Sequence, residues 1–205
     1  MKFEGEIVPL SETSGGPDDG ELLYRLSRGD EPAYRSLHNR HQATVFRIAL
    51  LLTDTVRDAE EVAATAFLEL WRRRARVRLV RTSVLPWLLV ATCTAATDAL
   101  RSRRRYRRLL RRIHADGGAS DHAEAVARAV DALKLSDAVA AGLRHLGRRE
   151  SSVAVLCLVQ GLATAEAAMV LRVPEQTVAS RLTRLRTRLR RAPSRYASLT
   201  EEANA

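Results

Sequence analysis

Apolar residues recur along most of this chain at intervals of three and four, the spacing that gathers them on one face of an α-helix. Leu22, Leu23 and Leu26 begin the pattern and Gly29 ends it. Asp30 then stands as an N-cap two residues ahead of Pro32, and Tyr34, Leu37, His41, Val45, Ile48 and Leu52 form the next stripe. The stripe restarts after Thr53–Asp54 with Ala59, Val62, Ala66, Phe67 and Leu70. An arginine-rich connection, Arg72 to Arg81, leads to a helix that starts near Pro86 and runs to about Arg112. Asp116, Gly117, Gly118, Ser120 and Asp121 break the pattern, so 113–135 reads as a flexible linker with at most a short helix from Ala123 to Leu133. Helices follow near Ser136–Leu146, Arg148–Gln160, Thr164–Leu171 and Pro174–Arg191, with Gly161 as a left-handed cap and Thr164 as an N-cap.

The expectation is an all-α protein of two helical domains, 18–112 and 136–195, flanked by tails at 1–17 and 196–205. Residues 1–17 show no periodicity and read as disordered.

The last two helices have the dimensions of a helix-turn-helix. Leu162, Leu171, Val173, Val178, Leu182, Leu185 and Leu189 supply its buried face, Ala168 allows a close crossing, and Pro174 suits the first helical position. Glu175, Gln176, Thr177, Ala179, Ser180, Arg181 and Arg184 then fall on or near the outer face, at the helix end that enters a major groove. A hairpin packed on the protein's own body would show the same spacing. Charge separates the two readings, because Arg172 to Arg191 carries seven arginines.

Composition agrees. The net charge is +10, and Lys2 and Lys134 are the only lysines among 34 basic residues. The arginine fork pairs with phosphate in a way that an ammonium does not, so a polyanion is the expected partner. A second cluster packs eight arginines into Arg101–Arg112 around Tyr106, Leu109 and Leu110. Arg101, Arg103, Arg104 and Arg105 are its candidate DNA contacts.

Other classes are set aside. Ser83 to Leu100 is a long run whose one charge is Asp98, but Pro86, its threonines and its length argue for a buried helix rather than a membrane span. No signal peptide is expected at the N-terminus. Cys93 and Cys157 read as core residues in a reducing, cytoplasmic setting. The five histidines form no metal set, and no catalytic constellation or cofactor motif appears, so neither an enzyme nor a cofactor is expected.

Two stretches resemble one family, the extracytoplasmic-function (ECF) group of bacterial RNA polymerase sigma factors. The first is "DAEEVAATAFLELW" (Asp58–Trp71) followed by "WLLVATCTAATDALRSRRR" (Trp87–Arg105); the second runs from Leu146 to Arg190. "GDEPAYRSLHNRH" is similar to the family's opening helices, and the resemblance spans roughly residues 18–195. It implies a region 2 domain that docks on the clamp helices of the polymerase largest subunit, recognises the minus-ten element and captures a base from the melting strand. It also implies a region 4 domain that reads the minus-thirty-five element and holds the flap of the second-largest subunit. An anti-sigma protein is the implied regulator. By position, Asp58, Glu61, Phe67 and Trp71 belong to the docking helix, with the two aromatics as its packing face. Trp87, Leu88, Asp98, Leu100 and Arg101 match the promoter-element helix, and residues around Arg76 to Ser83 take the place of the base-capturing loop. Glu175, Gln176, Thr177, Ser180, Arg181 and Arg184 fall on the groove-facing helix.

The sequence also departs from the family pattern. Ala64 replaces a usual glutamine, Glu61 an aspartate, and Val90, Cys93 and Thr94 stand where arginine and asparagine are common. Gly147, Ser151 and Ala179 replace a proline, an arginine and a lysine. Two alternatives therefore stand beside an alternative sigma factor. One is a stand-alone helix-turn-helix regulator; the other is a sigma-like interaction protein that binds polymerase or an anti-sigma factor without reading DNA.

Overall fold

The computed structural model describes residues 16–109, 119–132, 142–143 and 146–191, with no side chains described at 104–109, 119–122 and 189–191. The predicted tails apart from Gly16 and Pro17, the expected helix near Ser136–Leu146 apart from a few residues, and the two ends of the predicted linker lie outside them. The described elements are helical.

Helix α1 (Asp19–Ser27) is capped by Asp18, which accepts the Glu21 N–H at 2.8 Å. Gly29, at φ +90°, takes the left-handed conformation that ends this segment. Asp30 then caps α2 (Glu31–Leu52) through the Ala33 N–H at 3.1 Å and accepts the Arg25 guanidinium at 2.8 Å, fixing the corner. Thr55 caps α3 (Val56–Arg73), and a short 3₁₀ turn, Arg74–Arg76, follows. α4 (Leu85–Leu109) is long. The predicted stripes are buried: Leu22, Leu26, Leu37, Val45, Ile48, Ala59, Ala66, Leu70 and Leu88 have almost no exposed surface.

Part of the predicted linker is helical. α5 (Ala119–Ala132) lies on α2 and α3 and buries Ala125, Val126 and Ala129 there. Those alanines and the valine follow a spacing of one and three, which makes an apolar seam that the loop residues before it obscure in the sequence.

In the second unit, α6 (Arg148–Ala154) runs into a π-helical turn at Val155–Val159, and Gly161, at φ +63°, reverses the chain. α7 (Thr164–Leu171) and α8 (Glu175–Arg191) form the predicted helix-turn-helix. Thr164 sits one residue inside α7 rather than capping it. The end of α7 is instead satisfied by Glu166, which accepts the Ala163 N–H at 2.8 Å, and the Thr164 hydroxyl donates to Glu175 at 2.6 Å. Pro174 directly precedes α8 and accepts the Thr177 N–H at 2.9 Å. Val178, Leu182 and Leu185 are buried as the spacing predicts, Leu171 and Val173 are half-buried, and Leu189 lies outside the described side chains.

One buried charge ties the first unit together. Asp19 is 4% exposed. It accepts hydrogen bonds from Arg40 at 2.6 Å, and from the His41 ring, the Ser83 hydroxyl and the Val84 N–H at 2.8 Å each. Burial by itself would raise the carboxyl pKa; the bonds from His41, Val84 and Ser83 outweigh it and hold Asp19 well below the ordinary carboxylate range. α1, α2 and the start of α4 therefore meet on one carboxylate.

Asp19→Asn should cost about 1–3 kcal/mol, because one acceptor oxygen is lost to the buried donors His41, Ser83 and Val84; chemical denaturation measures this. A depressed native pKa gives stability that is present above the unfolded value of about 4 and is lost as pH falls through the native value. Acid titration should therefore show a component of unfolding in the wild type, below about pH 4, that the Asn variant lacks. In the second unit, Leu182→Ala should cost about 2–5 kcal/mol, whereas Arg188→Ala, which removes a surface pair with Glu150 at 2.9 Å, should cost less than about 1 kcal/mol. Equal losses in thermal unfolding would contradict the face assignment.

Candidate nucleic-acid interface

The exposed N-terminal half of α8 is set by the helix's own buried seam. With Val178, Leu182 and Leu185 turned inward, Glu175, Gln176, Ser180 and Arg184 are exposed and Thr177 and Arg181 are half-buried. Arg184 leans along the helix, its Nε donating to the Ser180 carbonyl at 3.3 Å, and Ser180 donates to the Thr177 carbonyl at 3.1 Å. Glu175 is engaged by Thr164, which stiffens the joint between the two helices. Exposed Arg184, Arg186 and Arg188 continue the cationic flank. The predicted outward face is there.

In the first unit the chain between α3 and α4 makes a tight reversal. Val80 and Ser83 exchange backbone hydrogen bonds of 3.1 Å, with Arg81 at φ +51° and Thr82 at φ +61° between them. Two successive left-handed residues are the geometry of a type I′ turn, which normally selects Asn and Gly. Neither residue is glycine, and Thr82 is β-branched, so each carries strain of about 1–3 kcal/mol. At the apex, Arg81 reaches out of its own unit. Its Nε and Nη2 grip the Glu166 carboxylate at 2.6 and 2.7 Å, and Nη2 touches the Gly161 carbonyl at 3.4 Å. The hydrogen bond from Arg81 is the main cause that lowers the Glu166 pKa, and the same bond raises that of Arg81. Arg172, itself left-handed at φ +54°, donates from Nη2 to the Arg76 carbonyl at 3.4 Å. Ala75, Arg76, Val77, Arg78 and Arg172 line an open depression of about 570 Å³ beside this junction.

α4 is covered on more than one side. Leu88, Leu89, Thr92, Cys93 and Ala96 are buried, Trp87, Val90, Thr94 and Leu100 are half-buried, and the helix packs on α2 and α3 as well as on α6, its π-turn and α7. The Cys93 thiol lies within hydrogen-bonding reach of the Ser151 and Ser152 hydroxyls of α6, and burial pushes its pKa up to about 12. Such a thiol stays protonated and unreactive. The positions that depart from the family pattern, Val90, Cys93 and Thr94, thus belong to a packed helix, and Thr94 spends its hydroxyl on the Val90 carbonyl at 2.9 Å.

Of the candidate arginines on α4, Arg101 is exposed and 3.8 Å from Asp98. Arg103 pairs with Asp58 across the α3–α4 boundary. The side chains of Arg104 and Arg105 are outside the described residues. This pairing was not visible in the sequence, and it joins a candidate DNA contact to a candidate polymerase contact. Asp58 also takes part in the cap of α3, where its N–H donates to Thr55 at 3.1 Å and its carboxylate accepts from Thr55 at 2.6 Å, so its side chain is only 14% exposed. Asp58 is therefore committed internally, and Glu61, mostly exposed and paired with Arg57 one turn earlier, faces outward. Phe67 is buried against His38, with ring centroids 4.5 Å apart. Trp71 meets Tyr34 edge-on at 5.6 Å and lies under the Arg74 guanidinium at 4.8 Å. Both aromatics form the packing face, as expected.

Among the described residues no group of histidines, cysteines and carboxylates could hold a metal ion, and no helix is long and apolar enough to cross a membrane.

Comparison with known proteins agrees with these features. Residues 37–106 match the family model for sigma-70 region 2. The ECF RNA polymerase sigma factor SigM of Mycobacterium tuberculosis is 30% identical over 173 residues, covering 84% of this chain and 83% of SigM. A probable RNA polymerase sigma factor, RfaY of Xanthomonas campestris, is 39% identical over 82 residues, but that segment is 40% of this chain and only 20% of RfaY. Among solved structures, CnrH in complex with the cytosolic domain of CnrY aligns with a TM-score of 0.55 at 21% identity, covering 91% of this chain and 99% of CnrH. RpoE of Bartonella quintana, in complex with the anti-sigma factor NepR, aligns at 0.52 and 16% identity, covering 76% of this chain and 93% of RpoE. The two structures share the fold. With a matching region 2, a helix-turn-helix behind it and a relative aligned over most of both lengths, this chain belongs to the ECF family of RNA polymerase sigma factors.

Proposed function

We propose that this sigma factor divides promoter reading between its two units: α4 and the Val80–Ser83 turn serve the minus-ten element, and the N-terminal half of α8 serves the minus-thirty-five element. The observation that carries the proposal is the outward flank of α8, where Gln176, Ser180 and Arg184 are exposed directly opposite a buried Val178–Leu182–Leu185 seam. A helix presented in this way fits a major groove, with its N-terminus near the phosphates. Arginine suits both tasks there, since its fork can grip a guanine edge or a phosphate.

Core polymerase is bound, in this reading, through the α3 surface around Glu61, with Phe67 and Trp71 keeping the helix in place from behind. The clamp helices of the largest subunit are its partner there, and the flap of the second-largest subunit is the partner of the second unit. Rate enhancement of initiation then comes from binding energy, and no covalent step falls to this chain. An anti-sigma factor is a further proposed partner, supported by the likeness in fold to CnrH and RpoE, each solved with the partner named above. The site of action is the bacterial cytoplasm, where polymerase works.

Arg184→Ala tests the division. Promoter-specific output with core polymerase should fall by about 1–3 kcal/mol, roughly 5- to 150-fold, as expected for a lost base contact. The melting temperature should not change, because Arg184 is exposed. Loss of one phosphate contact alone would instead weaken binding evenly across sequences and reduce the salt slope by about 0.9. Unchanged output would contradict the assignment of α8.

A further inference from the structure

Beside the 3₁₀ turn that follows α3, cations outnumber the carboxylates that could neutralise them. Elsewhere in the first unit Arg25, Arg40, Arg57 and Arg103 each meet a carboxylate. Here Glu166 serves Arg81, and among the described residues none of Arg74, Arg76, Arg78 and Arg172 has a carboxylate partner. Arg74 spends its guanidinium on Trp71, whose carbonyl accepts from Nη1 at 2.8 Å. The other three are exposed and line the open depression of about 570 Å³, with Ala75 and Val77 between them. Local backbone explains how they converge. Val77 is extended, at φ −70° and ψ 139°, and in extended chain residues two apart lie on the same side. Arg76 and Arg78 therefore flank a half-buried Val77 and share a side. Arg172 arrives from the second unit, its Nη2 3.4 Å from the Arg76 carbonyl. It holds the left-handed position that ends α7, at φ 54° and ψ 46°. Glycine would hold that backbone without strain; the arginine adds a guanidinium at the depression.

We propose that Arg76, Arg78 and Arg172 form a binding site for a small anion that carries two linked phosphates. Three like charges around one depression repel each other, and an anion seated between them removes that repulsion. A phosphate group carries a charge of about −1.5 to −2 near neutral pH. One phosphate therefore leaves the three guanidinium charges unbalanced, and two linked phosphates come close to matching them. Each planar fork can donate two parallel hydrogen bonds to phosphate oxygens, which an ammonium cannot do. The volume falls within the range of about 300–1,000 Å³ typical of small-molecule sites. Ala75 and Val77 are the apolar part of the lining, and no aromatic ring lines it to stack on a base. Recognition therefore lies in the phosphates, whether the diphosphate is free or part of a nucleotide.

Isothermal titration of the full-length chain with inorganic pyrophosphate, at low salt and without nucleic acid, tests the site. Pyrophosphate should bind at least about tenfold more tightly than sulfate at equal ionic strength. Arg172→Gly and Arg78→Ala should each weaken pyrophosphate binding at least about tenfold. Arg172→Gly should melt no lower than the wild type, since glycine suits the left-handed position. Arg28→Ala removes an equal charge from the exposed end of α1 and should change the affinity less than about twofold. ADP separates the two sources of this chemistry: affinity equal to that of pyrophosphate assigns a free diphosphate, and tighter binding assigns a nucleotide. Sulfate binding as tight as pyrophosphate, or an Arg28→Ala loss equal to that of Arg172→Gly, reduces the effect to net charge and overturns the site. Unchanged pyrophosphate affinity in Arg172→Gly or Arg78→Ala overturns it as well. If Arg172→Gly weakened single-stranded DNA binding but not pyrophosphate binding, the depression would belong to a nucleic-acid backbone instead.

Discussion

The carboxylate of Asp19 is the constraint on which the arrangement depends. It is buried among four donors that come from α2 and from the two residues just before α4. Of these, Ser83 and Val84 matter most for function, because Ser83 is also the closing residue of the Arg81–Thr82 turn. A buried charge fixes geometry more sharply than apolar packing does, since any displacement leaves it unsolvated. Asp19 thus fixes where α4 begins, and the start of α4 fixes where Arg81 points. The strain in the turn is tolerated because both of its ends are held.

The same logic runs outward from the turn. Arg81 meets Glu166, whose second task is to cap α7 through the Ala163 N–H. α7 in turn carries the turn of the helix-turn-helix, and α8 is seated on it. One chain of polar contacts therefore runs from α1 to the foot of α8. Apolar burial supplies the bulk of the stability along this path; the polar contacts decide the orientation. The cationic flank of α8 stays on the surface even though the two units share a continuous core.

Much of this was legible in the sequence where the governing physics is local. Helix caps at Asp30, the left-handed Gly29 and Gly161, and the seams of α2, α3 and α8 follow from residue type and spacing. The family resemblance assigned Phe67 and Trp71 to a packing face, and they are there. What stayed hidden involves pairs far apart in the chain. Nothing in the spacing links Asp19 to Val84 or Arg81 to Glu166, because a salt bridge has no periodicity. Asp58 was placed on the docking helix by the family resemblance and Arg103 among DNA contacts by its arginine cluster, and neither reading disclosed that the two pair with each other 45 residues apart. The short helix expected over Ala123–Leu133 is present as Ala119–Ala132; what the spacing did not disclose is that it packs on α2 and α3 instead of serving as a free linker. Cys93 was noted as a departure from the family, and only the packing of α6 supplied its reason.

Amide hydrogen exchange, compared between the wild type and Asp19→Asn at neutral pH, tests this chain of contacts most directly. Losing the carboxylate should speed exchange not only in α1 and at Val84 but also across Gly161–Leu171 in the second unit, which Asp19 does not touch. Protection at Gly161–Leu171 that stayed unchanged while Val84 exchanged faster would contradict the account, since the two units would then be positioned independently of the turn.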